Sequence, residues 1–191
     1  MSSAKGIEIK NKKITSLTNG MFIWTNVDGY FDCLDCNSLK SLEGAPKKVS
    51  GTFSSILCSG LTSLEGAPKE VGGSFYCFNC VSLTSLKGAP EKVGKDFNCS
   101  DCKSLKSLEG APKEVGGSFY CGYCKSLISL EGAPEKVGEK FDCSRYASLT
   151  LSKGAPQKVN DFVCLHCIGL KSLEGAPEKV GGILIVLDVR V

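Results

Sequence analysis

Twelve cysteines stand in a chain of 191 residues, and ten of them form five C-x-x-C pairs: Cys33/Cys36, Cys77/Cys80, Cys99/Cys102, Cys121/Cys124 and Cys164/Cys167. Between Cys80 and Cys99 lie 18 residues. Such a spacing suits tetrahedral zinc, because two thiolates from each of two turns can meet at one ion. The only histidine, His166, lies between Cys164 and Cys167. A thiol beside an imidazole is the start of an activated nucleophile. Disulfides are a third reading, and plain packing of small buried thiols is a fourth.

The elements that would position these residues come from a repeat. From Phe31 the chain repeats every 22 residues, starting again at Phe53, Phe75, Phe97, Phe119, Phe141 and Phe162, with only the sixth unit one residue short. The shared pattern is F-x-C-x-x-C-x-S-L-x-S-L-E-G-A-P-x-x-V-G-G-x. All seven prolines fall on its single proline position, from Pro46 to Pro177. The ends are worn copies. Ile7 and Ile9 stand for Phe and the first Cys upstream, and Leu184 and Val186 do so downstream. A single solenoid domain over 1–191 is expected, with a capping repeat at 1–30 around Trp24, seven repeats over 31–183 and a capping strand at 184–191. Terminal units of such a stack have to cover an open core and differ from the rest.

The repeat weighs against the metal. The C-x-x-C spacing follows from the period, and the columns are imperfect: Ser55 replaces the first Cys of the second unit, and Tyr146 the second Cys of the sixth. A packing column tolerates such changes better than a coordination sphere does. The favoured reading is a ladder of reduced, inward thiols with no metal and no cofactor. Many free thiols also point to a reducing compartment, and a cytoplasmic location is expected. No apolar run is long enough to span a bilayer or to serve as a secretory signal, so no membrane partner is expected.

Glu-Gly-Ala-Pro after the leucine pair interrupts any helix. F-x-C alternates with period two and predicts a short strand with Phe and Cys inward. Each unit then offers about seven inward groups, namely Phe, two Cys, two Leu, Ala and Val, which only a stack of coils can bury. The Gly-Gly after Val is expected to supply the positive φ of a tight turn, with Ser50 and Asn160 in place of the first Gly. The string L-x-G-A-P-x-x-V-G-G-x-F-x-C-x-x-C-x-S-L resembles the leucine-rich repeats of bacteria and their phages over nearly the whole chain. In that resemblance Phe75 and Cys77 take inward strand positions and Cys80 the asparagine position. There is one extra residue between Val and Phe and another before the next Leu. The resemblance implies a parallel sheet on a concave face and a helix-poor, irregular convex side.

Function is expected where the repeat does not dictate the residue. The outward strand positions carry Leu34, Ile56, Tyr76, Phe78, Asp96, Asn98, Asp101, Tyr120, Tyr123, Arg145, Leu165 and His166. Tyr76, Phe78, Tyr120 and Tyr123 are expected at matching positions two units apart, forming an aromatic patch divided by an acidic strip. This face holds six Asp against one Lys and one Arg in a chain of net charge +3. About eight strands at ~4.8 Å spacing and ~13 Å width give ~500 Å², against about 800 Å² for one side of a standard interface. A non-enzymatic protein-binding module follows. The resemblance adds a phage or mobile-element protein that binds or inhibits a host or defence protein. The alternatives are a structural or self-assembling repeat, with a homo-oligomer through the C-terminal strand, then a nucleic-acid-binding or zinc-binding repeat. Nucleic acid is disfavoured because the aromatic face is acidic. Catalysis by Cys164, Cys167 and His166 is disfavoured because the thiols point in and the imidazole out.

Overall fold

A computed structural model describes residues 6–10, 13–18, 25–150 and 152–187. Trp24, most of the loop before it and the last four residues of the expected capping strand lie outside these. The chain winds as a parallel β-solenoid of about eight turns, and no helix occurs among the described residues. Each of the seven repeats contributes F-x to a nine-stranded parallel sheet, here the front sheet, which runs from Gly6–Glu8 through Phe75–Tyr76 and Phe119–Tyr120 to Leu184–Leu187. Register is strict: Phe75 pairs with Phe97 and Phe97 with Phe119.

The resemblance to leucine-rich repeats implied an irregular back. Instead the residues ending at Val form a second parallel sheet of eight strands, from Asn26–Val27 to Lys179–Val180. Val is β-branched, it falls at one point of every coil, and coils stacked in register bring its backbone to pairing distance. Two sheets joined by tight corners make a β-helical coil, and a β-helix is a different object from a leucine-rich repeat.

The core lies between the sheets in columns. Phe31, Phe53, Phe75, Phe97, Phe119, Phe141 and Phe162 are fully buried. Their rings stack with centroids 5.0–5.9 Å apart and planes within 11°. Cys, Leu and Val columns run beside them, buried except in the last coil, where Leu173 is exposed and Val180 half-buried, with Ala at the edge of the core. The prolines from Pro46 to Pro156 are buried too, a packing role that their helix-breaking chemistry did not reveal.

The corners correct one expectation. Within the seven repeats the glycines after Val do not take positive φ, and only Gly29 of the capping repeat does, at 121°. That conformation belongs to the Gly of E-G-A-P, as at Gly66 with φ 87°, and to the residue before the second Cys. The glycines after Val are needed for space. A Cβ at Gly94 would strike the carbonyl oxygen of Gly72 in the preceding coil, and one at Gly116 that of Gly94.

Candidate binding surface

The cysteines form a ladder, and its donors are ordered. The Cys58 thiol lies 2.9 Å from the Cys33 carbonyl oxygen, Cys80 3.0 Å from that of Ser55, Cys102 3.2 Å from that of Cys77, and Cys124 3.2 Å from that of Cys99. Each second-column thiol thus donates to the first-column backbone of the coil before it. Ser55, in a first-column place, is also fully buried and donates to the Tyr76 carbonyl at 3.4 Å. Tyr146, in a second-column place, is fully buried and its hydroxyl donates to the Cys121 carbonyl. What the second column conserves is a donor at that point.

Burial makes these thiols poor nucleophiles. Hydrogen bonding from the neighbouring Cys33 pushes Cys58 up to about 12, and desolvation does the same to Cys124. Desolvation also raises Cys77, Cys80, Cys99, Cys102, Cys121 and Cys143. A protonated thiol is a weak donor and an inert group, as the ladder requires. The last pair departs from the expectation of uniformly reduced cysteines. Cys164 and Cys167 are joined as a disulfide, while ten cysteines are free. The Cys167 sulfur still sits 3.2 Å from the Cys143 carbonyl, at the ladder position. His166 is exposed beside this buried pair.

None of the twelve outward residues is buried, and they occupy four columns rather than one face. Tyr76, Asn98 and Tyr120 lie in register on adjacent front strands, each half-buried. Leu34, Ile56, Phe78 and Leu165 form the next column, where Gly122 leaves a gap. Asp101, Tyr123, Arg145 and His166 form the third. Tyr123 therefore does not match Phe78. It lies one column further out, at a corner where the backbone is left-handed: φ is 58° at Asp101, 61° at Tyr123, 67° at Arg145 and 55° at His166. This corner places side chains on a ridge. The Arg145 guanidinium lies 5.0 Å from the Tyr123 ring centroid, a cation–π contact.

The acidic strip is partly structural. Asp96, in the fourth column, accepts from the Ser118 amide at 2.8 Å, and Asn98 accepts from the Ser100 amide at 2.9 Å. Asp96 ties its coil to the next and Asn98 caps its own turn, so less of this strip is free for a partner than its sequence suggests. The corner ridge had a signal in the sequence. Asp35, Asn79 and Asp101 precede the second Cys, and Asp and Asn are the side chains that tolerate left-handed backbone best.

The exposed edge of the back sheet carries a charge ladder. The residue before Val reads Lys48, Glu70, Lys92, Glu114, Lys136, Lys158, Lys179. Lys48 pairs with Glu70 at 2.6 Å, and Glu114 with both Lys92 at 2.8 Å and Lys136 at 2.9 Å. Hydrogen bonds from Lys92 and then Lys136 hold the Glu114 carboxyl down at about 2. Among the described residues, no helix is long and apolar enough to cross a membrane.

No known protein family matches this chain. No curated protein matches its sequence, and no solved structure matches its fold.

Proposed function

We propose that the chain is a non-enzymatic protein-binding solenoid, with a repeat that resembles leucine-rich repeats in sequence, which holds a partner protein on the outer side of the front sheet. One observation carries this reading. Tyr76 and Tyr120 project from strands two coils apart with only Asn98 between them, and Tyr123 with Arg145 extends the patch along the corner. Large aromatic side chains and Arg are the usual anchors of interfaces. The raised thiols support a role without catalysis. The ten free cysteines support a reducing, cytoplasmic setting. The likeness of the repeat to those of bacteria and phages supports, by analogy, a phage or mobile-element protein acting on a host or defence protein.

The test is affinity capture from the source cell, with the captured protein purified and titrated. Replacing Tyr76 and Tyr120 by Ala is expected to weaken binding by about 2 kcal/mol or more, with the fold retained. Lys113→Ala, on the back, is expected to change little. Loss of binding in Lys113→Ala with normal binding by the tyrosine variant would place the site on the back.

A second reading has its own observation. Among the described residues no strand pairs beyond the last front strand, Leu184–Leu187, and Ile183, Leu184 and Leu187 are 55%, 52% and 57% exposed. An unpaired apolar edge favours self-assembly, which sedimentation velocity over a concentration series would detect.

A further inference from the structure

The charge ladder of the back sheet obeys a rule and then breaks it. Lys48 and Glu70 face each other on adjacent coils, as do Lys92, Glu114 and Lys136, so every lysine up to Lys136 has a carboxylate on a neighbouring strand. Lys158 and Lys179 do not. They pair in register with each other, both are exposed, and among the described residues neither makes an ion pair. Adjacent parallel strands lie about 4.8 Å apart, so two like charges stand side by side at a cost. Lys136, Lys158 and Lys179 border an open groove of about 340 Å³ with Val137, Val159, Asn160 and Gly181.

The same place is the free edge of the sheet. On the back sheet the residues flanking each strand donate to the coil before it: the Lys69 amide to the Lys47 carbonyl at 2.8 Å, and the Gly72 amide to the Val49 carbonyl at 2.9 Å. The equivalent acceptors of the last coil are the carbonyls of Glu178 and Val180. Among the described residues no strand pairs beyond Lys179–Val180. Two open acceptors, a half-buried Val and an unmatched lysine pair are what a further strand of this sheet would satisfy.

We infer that the Lys179–Val180 edge docks an extended acidic segment of a partner protein. The segment adds as a parallel strand, with a carboxylate over Lys179 and an aliphatic residue over Val180. The chain itself shows the complementary order at Glu70-Val71 and Glu114-Val115. Backbone pairing supplies affinity in this mode and the side-chain positions supply specificity. A short carboxylate run fits better than a nucleic-acid backbone, because Glu114 closes the lysine cluster on its inner side. This site is separate from the tyrosine patch of the front sheet and does not rest on it.

The test uses the whole chain and a labelled peptide of about ten residues built on Glu-Val-Gly-Gly, with a second peptide carrying Lys for Glu. Affinity is read by fluorescence anisotropy and the location by amide shifts in NMR spectra. The Glu peptide is expected to bind at least ~10-fold more tightly than the Lys peptide, about 1.4 kcal/mol. Shifts are expected at Lys158, Lys179 and Val180. Lys179→Glu is expected to reverse the preference, with its circular dichroism unchanged, and Lys48→Glu at the far end to leave it intact. Equal binding of both peptides, or no binding, overturns the inference. So does displacement of the peptide by single-stranded DNA of equal length. Self-association of the chain that is lost in Lys179→Glu also overturns it, in favour of a second copy.

Discussion

The Tyr146 hydroxyl donates to the carbonyl oxygen of Cys121 in the preceding coil, the bond that a cysteine thiol makes in the other units. Both residues are fully buried. Tyr146→Phe keeps the ring and removes the donor, leaving a buried carbonyl without its side-chain partner. It is expected to cost about 1–3 kcal/mol, read from urea denaturation. An unchanged midpoint would show that the column conserves shape alone.

Stability is expected to fall at alkaline pH. The buried thiols have folded pKa values above the ordinary 9.0, Cys124 at about 12. Their contribution is fully present below the unfolded pKa and is lost as pH rises through the folded one. Between about pH 9 and 12 the unfolded chain binds fewer protons than the folded one, so each such thiol lowers stability by about 1.4 kcal/mol per pH unit. Denaturation midpoints at pH 8 and pH 10.5, measured in reductant, check this. A flat profile would mean that the thiols are solvated.

The acid side has the opposite sign. Glu114 is depressed from 4.5 to about 2 by Lys92 and Lys136. Its contribution is present above its unfolded pKa and disappears as pH falls through this window. Glu114→Gln is therefore expected to melt lower than the parent at pH 7, by a margin that shrinks as pH falls from 4.5 to about 2. A margin that stays constant over this window rules out the ion pairs as its source.

Gly94→Ala is expected to destabilise by about 1–3 kcal/mol through overpacking against the Gly72 carbonyl. Gly181→Ala is the control, since its Cβ would meet the Asn160 side-chain oxygen at 3.1 Å and backbone no nearer than 3.8 Å. Equal melting temperatures for the two variants would refute the steric account.

Leu108→Asp places a charge at a fully buried position. Such a group costs several kcal/mol, and nearest-neighbour coupling spreads the damage to adjacent coils. Hydrogen exchange should show lost protection from about one coil before Leu108 to one after it. Exchange confined to Leu108 itself would contradict the coupling.

The sequence disclosed the stack because Phe, Ala and Val recur at one position each and Cys and Leu at two, and burial follows those columns. The second sheet was not legible: a two-residue strand such as Glu70–Val71 has no alternation to read. Its existence depends on the stacking of neighbours. The front patch is legible at the level of columns, but the expected match of Tyr123 with Phe78 fails on spacing alone, since Tyr123 lies two repeats after Asn79 and not after Phe78. Nor could spacing distinguish the disulfide of Cys164 and Cys167 from the four other C-x-x-C pairs, since all five share the same local pattern.

The Phe rings stack along the same axis as the backbone bonds of both sheets, so a coil is tied to its neighbour and to nothing further away. Under tension applied to the two ends, this arrangement behaves as a spool. Only the outermost coil bears the load, and its few bonds open one after another rather than being sheared together. Each released coil of 22 residues pays out about 75 Å of contour length at ~3.4 Å per residue. The expected force trace is a long, low plateau of evenly spaced steps instead of one high rupture.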